Sequence, residues 1–430
     1  MHISVIGWSV IVFFVLIFLD TPVFTSILAG SMTYFILGNG VPKLIIAQRF
    51  VAGLQSNALL AIPFFVCSGC LMNEAGVTKR LMIFCETVTR KLPGGLAQVN
   101  VLLSTLMGGM SGSCLADAAM EAKMLVPEME KRGHSRDFAS AVTASSAMIT
   151  PIIPPGIGMV VYGALVSVSI GKLFVAGIGP GILLCITMMI LVGFICKKRG
   201  FEANGEKQKA SGKEIWASFK LAFFPLFLIV VILGSIRLGI CTPTEAGSVA
   251  VIYALVLGLF YRELTIKKIW LVLKETVLTT AGIMMIVGAA NTFSWMLTRE
   301  KIPQALAKWM LSVVDTKVQF LIIVNIFLLI VGMLVEGNAS MIVLCPLLAP
   351  IALSYGIDPV QFGIIVVFNL GIGNLTPPMG TLMFVTCGIT GTKVKDFIRE
   401  CIPFYIQAAV CLILITFIPG FTLWLVNLLF

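Results

Sequence analysis

Two clusters of hydroxyl, amide and acid side chains stand beside prolines and glycines in otherwise apolar stretches. The first holds Ser111, Ser113, Ser145, Ser146 and Thr150, with Gly112, Asp117, Pro151, Pro154 and Pro155 among them. The second holds Glu336, Asn338, Ser340, Asn369, Asn374 and Thr376, with Gly337, Gly373, Pro377 and Pro378. Neither contains a nucleophile paired with a base, so no catalytic set presents itself. His2 is terminal and His134 sits in a loop, and neither is placed for catalysis or metal ligation. What the clusters offer is oxygen. Hydroxyls, amides and carbonyls at helix C-termini suit Na⁺, whereas helix N-termini, each with roughly half a positive charge, suit a carboxylate. Asp117 and Glu336 are the acids expected at membrane depth, where a charge costs at least ~2.5–3.5 kcal/mol and marks a function. Asp117 follows Ser113 by one helical turn, on the same face. The bland alternative is that Ser and Gly merely let helices approach closely.

The elements that position these residues cannot be continuous helices. Residues 145–158 and 369–380 each contain a Pro-Pro pair and several glycines between apolar flanks. Proline removes a backbone donor, and in hydrocarbon the freed groups must be met by protein, water or an ion. The two stretches are related. Moved on by 223 residues, the window 109–180 lies over 332–403, and four of its five prolines land on prolines. Paired interrupted segments in two halves of a membrane chain point to a transporter's binding site.

The 430 residues are 58 % hydrophobic and only 12 % charged, against about 25 % charged in a soluble domain. The net charge of +10 reads as loop lysines facing a cytoplasm, not as a nucleic-acid surface. Eleven cysteines without a paired framework read as free thiols, and Cys67 and Cys70 as small residues in a packed helix.

The expected fold is an all-α polytopic membrane protein, an inverted repeat with two re-entrant helical hairpins and two broken transmembrane helices. Residues 1–196 form the first repeat, with spans at 3–19, 22–38 and 57–73 and interfacial arms at 41–56 and 77–92. Its hairpin is 94–131, with a tip at 108–113, and its broken span is 137–170, followed by a continuous span at 174–196. Residues 197–214 form a linker. The second repeat, 215–430, has spans at 219–236, 245–261, 276–297 and 402–426, a basic arm at 262–274, a hairpin at 319–355 with its tip at 332–340, and a broken span at 359–390. Thr244 precedes Glu245 as a helix cap. Five crossings per half require opposite orientations. With the linker inside, 21 Lys and Arg face the cytoplasm and 8 face outward, and both termini lie outside. Arg299, Lys301, Lys308 and Lys317 form a basic external loop that a partner surface would explain.

Several motifs together resemble the large membrane subunit of tripartite ATP-independent periplasmic (TRAP) transporters. They are 61–65 (AIPFF) before 71–73 (LMN), 111–119 (SGSCLADAA), 152–155 (IIPP), 172–180 (KLFVAGIGP), 242–247 (TPTEAG) and 376–378 (TPP). Departures are Cys114 and Leu115 for a common Ala and Val, Gly156 for Ser, and 336–338 (EGN) where Asp and Thr are frequent. The resemblance implies an elevator-type secondary transporter in a bacterial inner membrane, surrounded by lipid and coupled to Na⁺. It implies a small four-helix membrane subunit, a periplasmic substrate-binding protein, and an organic acid such as a C4-dicarboxylate, sialic acid or another sugar acid. It places one Na⁺ at Ser111, Gly112, Ser113, Thr150 and Pro151, and another at Gly337, Asn338, Gly373, Asn374 and Thr376. Substrate contacts are expected from Ser113, Asp117, Ser145, Ser146, Pro154, Pro155, Asn369, Pro377 and Pro378. A self-contained Na⁺/organic-anion symporter is the alternative, with a membrane enzyme or channel behind it.

Overall fold

The computed structural model describes residues 5–19, 21–38, 42–201 and 210–430, and among them all regular structure is helical. His2, Asp20 at the first expected turn, and residues 202–209 of the 197–214 linker lie outside the described residues. The first helices are α1 (Val5–Phe18), α2 (Val23–Leu37) and α3 (Leu44–Leu54). A short 3₁₀ turn leads into α4 (Ala61–Glu74), followed by α5 (Val77–Thr89). The hairpin of α6 (Gly95–Ser111) and α7 (Cys114–Lys131) comes next, then the interrupted pair α8 (Arg136–Ala147) and α9 (Ile157–Val166), and then α10 (Ile170–Arg199). After the linker come α11 (Gly212–Arg237), α12 (Pro243–Phe260), α13 (Ile266–Arg299) and α14 (Ile302–Val313). A second hairpin, α15 (Lys317–Leu334) and α16 (Gly337–Ser354), precedes the interrupted pair α17 (Pro359–Leu375) and α18 (Thr381–Thr390), and α19 (Val394–Phe417) and α20 (Gly420–Leu429) close the chain. Among the described residues, eight helices are long and apolar enough to cross a membrane.

The main core runs through the hairpins, the interrupted helices, α4 and α10. A smaller one, around Phe13, Ile27, Phe35, Phe293 and Met296, joins α1 and α2 to the C-terminal part of α13. Long apolar side chains such as Phe194, Val230, Leu259 and Ile413 point outward, as a lipid-facing surface requires. None of the eleven cysteines, all of them described residues, is joined in a disulfide.

Several expectations are corrected. The hairpin tips are shorter than the composition indicated. Gly108 and Gly109 stay inside α6, which packs on α4, α5, α7, α8 and α10, and only Gly112 and Ser113 interrupt the helices. Likewise only Val335 and Glu336 separate α15 from α16. The basic arm and the span after it are one helix, α13, capped by Thr265. No proline or glycine falls between Ile266 and Ala281 to stop it. The basic loop at 299–317 is mostly the helix α14, whose start has a proline at a permitted first-turn position. The last span is split, because Pro419 removes a donor just past α19. The arm at 77–92 buries one face, including Val77, Leu81 and Cys85, against α6 and α11 rather than only lying at an interface. Thr242, not Thr244, caps α12: Glu245 N donates to Thr242 Oγ1 at 3.3 Å and Thr242 N donates to Glu245 Oε2 at 2.7 Å. Proline at 243 suits the first helical position, so the helix starts two residues earlier, and the Thr244 hydroxyl donates instead to the Asn57 carbonyl.

Candidate functional site

The first tip starts where α6 ends at Ser111. Gly112 takes φ of 62°, a conformation open to glycine, and a Cβ there would stand 2.6 Å from the Pro155 carbonyl oxygen. Ser113 caps α7 by accepting from Ala116 N at 3.4 Å. Ile157 N donates to Gly112 O at 3.4 Å, so the tip touches the break between α8 and α9.

Asp117 lies fully buried behind this tip. Ser111 Oγ donates to its Oδ2 at 2.7 Å, and Thr150 Oγ1 donates to the same oxygen at 2.9 Å. Ser113 N donates to Ser111 Oγ at 3.4 Å. One carboxylate oxygen thus ties the tip, α7 and the break together. It also orients two hydroxyls so that their hydrogens face the acid and their remaining lone pairs face away from it.

A second acid, Glu121, was missed in reading the sequence. It is fully buried one turn beyond Asp117, with its Oε2 at 2.7 Å from Ser104 Oγ. Ser104 Oγ is 2.9 Å from Ser146 Oγ, Ser146 reaches Asn100 Oδ1 at 3.1 Å, and Asn100 Nδ2 reaches Thr143 Oγ1 at 2.6 Å. The available signal was the i, i+4 spacing from Asp117, which puts both acids on one helix face.

At the second tip Glu336 caps α16. Its Oε2 accepts from Ala339 N and its Oε1 from Asn338 Nδ2, both at 2.9 Å. This acid is occupied in holding its own tip. Asn374, near the end of α17, is 6 % exposed and leaves its Oδ1 without a partner. Thr376 N donates to Gly373 O at 2.9 Å, and Thr376 Oγ1 donates to Ile372 O at 2.7 Å. Met379 N donates to Met333 O at 3.1 Å, linking the second break to α15.

A cavity of about 310 Å³ lies between the two tips. Gly112, Ser113, Cys114 and Leu115 line it from the first hairpin, and Glu336, Gly337, Asn338 and Met341 from the second. Pro151, Ile157, Gly158, Val367, Leu370, Gly371 and Asn374 come from the interrupted helices. Leu278, Thr279, Gly282, Ile283 and Ile286 of α13 make the opposite wall, which the sequence did not signal.

Of the residues expected to touch substrate, only Ser113 lines this cavity. Asp117 sits behind it. Ser146 belongs to the Glu121 chain, and Ser145 is buried with its Oγ 4.0 Å from Cys401 Sγ. Pro154 and Pro155 are buried in the first break. Asn369 Nδ2 donates to Asn325 Oδ1 at 2.7 Å, away from the cavity, whereas Pro377 is half-buried and Pro378 exposed in the second break. Of the residues expected to hold Na⁺, Gly112, Ser113, Pro151, Gly337, Asn338 and Asn374 border the cavity. Ser111 and Thr150 stand behind the first tip at Asp117, and Gly373 and Thr376 behind the second.

Residues 10–421 match the family described as the tripartite ATP-independent periplasmic transporter, DctM component. The chain is 39 % identical over 426 residues to the sialic acid TRAP transporter large permease protein SiaM of Vibrio cholerae, covering 99 % of this chain and 98 % of that one. It is 33 % identical to the sialic acid TRAP transporter permease protein SiaT of Haemophilus influenzae, covering 98 % of this chain and 68 % of the relative. Among solved structures, the YdaH transporter of Alcanivorax borkumensis superposes with a TM-score of 0.62 at 13 % identity, covering 96 % of this chain and 98 % of that one, a likeness of fold alone.

Proposed function

Because the chain belongs to the tripartite ATP-independent periplasmic transporter family, as a DctM component, we propose that it is the large subunit of a Na⁺-driven importer of an organic acid. It is a permease rather than an enzyme, and a multi-pass membrane protein. The observation that carries the proposal is the cavity between two capped tips, with an oxygen cluster behind each.

The first Na⁺ is assigned to Ser111, Gly112, Ser113, Thr150 and Pro151. Support comes from Asp117, which draws the hydrogens of Ser111 and Thr150 to itself and leaves oxygen lone pairs for a cation. The second is assigned to Gly337, Asn338, Gly373, Asn374 and Thr376, supported by the unpartnered Asn374 Oδ1. The substrate carboxylate meets the N-termini of α7 and α16. Support for an inverted repeat comes from helix limits. Moved on by 223 residues, Cys114–Lys131 becomes Gly337–Ser354, and the caps Ser113 and Glu336 fall on one another. An elevator fits a cavity with hairpins and interrupted helices on one side and α13 on the other. The site then travels past α13 through an inner membrane, with both termini external. Relatives named for sialic acid favour an organic acid as cargo. A periplasmic binding protein delivers it, and a small membrane subunit completes the complex. The part of SiaT that this chain leaves uncovered has room for such a subunit fused in one polypeptide.

The energetics set the test. A tenfold Na⁺ gradient supplies about 1.4 kcal/mol per ion. A potential of about 100 mV adds about 2.3 kcal/mol per net charge. Two Na⁺ with a monoanion therefore yield roughly 5 kcal/mol, against roughly 1.4 kcal/mol for one Na⁺, which is electroneutral. Proteoliposomes with the whole complex are expected to take up monoanion faster at an inside-negative potential, with a Hill coefficient for Na⁺ above one. Ser113→Ala and Asn374→Ala should each raise the half-saturating Na⁺. Uptake indifferent to potential and first order in Na⁺ would remove the two-site reading. Omitting the small subunit and binding protein should nearly abolish uptake; full transport by the chain alone would favour a self-contained symporter.

A further inference from the structure

We propose that the cavity selects an acid with a single negative charge and a compact, largely apolar body, and that Gly282 sets the size of that body. The inference rests on the cavity being the transport site. It is carried by how the lining is divided.

Polar groups gather at the tips. Ser113 and Glu336 cap α7 and α16 there, so two sets of helix-start amides face one end of the cavity. Asn374, with an unpartnered and buried amide oxygen, stands beside them. This end accepts one carboxylate and the cation beside it. Nothing in the lining answers a second carboxylate. It contains no Lys, Arg or His, and both oxygens of its single acid, Glu336, are already hydrogen-bonded. The far wall is mainly apolar, formed by Leu278, Ile283 and Ile286 of α13, with Thr279 as its single hydroxyl. A charged or many-hydroxyl group laid there loses more water than one hydroxyl can replace.

Gly282 lies within this wall, in the interior of a 34-residue helix where glycine is a poor helix former. Packing does not require it, because a Cβ at that position would meet nothing within 4 Å. The space in front of it is the cavity itself. A larger side chain here takes up room that the substrate body needs, without displacing a neighbour.

Thermal unfolding of the purified full-length chain in Na⁺ tests this without the selectivity of a binding protein. The probes are 4-methyl-2-oxopentanoate, succinate and N-acetylneuraminate. The branched oxo acid is expected to stabilise at a concentration about tenfold or more below the other two. Gly282→Leu should weaken that effect about tenfold or more. Gly234→Leu, on α11 in equally open surroundings but away from the cavity, should bind like the parent. Succinate or N-acetylneuraminate acting at the lower concentration overturns the charge or body assignment, and a Gly282→Leu protein that binds normally overturns the size role. Stabilisation by Na⁺ but by none of the acids overturns the inference as a whole. Loss of Na⁺-dependent uptake by the assembled complex would instead count against the transport reading and leave these binding results standing.

Discussion

Replacing Asp117 with alanine is expected to lower uptake at limiting Na⁺ by roughly 10- to 100-fold. The acid accepts from Ser111 Oγ and Thr150 Oγ1 at a site with no exposure to solvent. Hydrogen bonds to a charged group contribute about 1.5–3 kcal/mol each. If about half of that sum fixes the two hydroxyls for Na⁺, the loss is roughly 1.5–3 kcal/mol, or about one to two decades in affinity. The deficit should appear as a raised Na⁺ requirement and be relieved in part at high Na⁺, because Asp117 positions the ligands rather than lining the cavity. Asp117→Asn keeps one acceptor oxygen at the same reach and should fall between alanine and the parent. The measurement is initial uptake against Na⁺ concentration in proteoliposomes of the complete complex, using variants that remain monodisperse. An alanine variant with the parent's Na⁺ curve would separate Asp117 from ion binding and leave it a structural acid.

Gly373→Ala is expected to have the largest effect of any single methyl on the second half. A Cβ at Gly373 would lie 2.5 Å from the Cα and carbonyl carbon of Gly332, so α15 and α17 touch backbone to backbone. Neither contact is a flexible side chain, and the helices must part. Overpacking of this kind costs about 1–3 kcal/mol and occasionally more. The same movement draws the second tip from Asn374, so the variant should lose both melting temperature and the second component of the Na⁺ response. The reverse substitution is milder. A Cβ at Gly332 meets Gly373 Cα at 3.2 Å, which a shift of a few tenths of an ångström relieves. Gly388→Ala on α18 meets nothing within 4 Å and should be neutral or slightly stabilising. Unfolding temperatures in one detergent give the comparison. Equal losses at 332 and 373 would show that the close approach is not what holds this helix pair.

Much of the protein was determined by the sequence itself. Apolar runs of bilayer length called for spanning helices, since hydrocarbon leaves no other way to satisfy a backbone. Paired prolines marked both breaks, because proline deletes a donor wherever it stands. Ser113 was legible as a tip residue for a similar reason: a hydroxyl beside glycine between helical stretches is a cap in waiting. What escaped depended on partners distant in the chain. Gly108 and Gly109 look like tip residues, yet they stay in α6, packed against Thr150 and Ile153 of the first break and Ile229 of α11. Asp117 looked like a substrate contact, and only the meeting of Ser111 with Thr150 across 39 residues shows that it faces the oxygens behind the tip. Asn369 carried the same signal as Asn374, but one is bound to Asn325 and the other borders the cavity. Composition cannot separate them, since which way a helix faces is decided by its neighbours. The α13 wall is the extreme case. Leu278, Gly282, Ile283 and Ile286 form an ordinary apolar stretch in sequence, and they become part of a site only because two hairpins from opposite halves of the chain line a cavity with them.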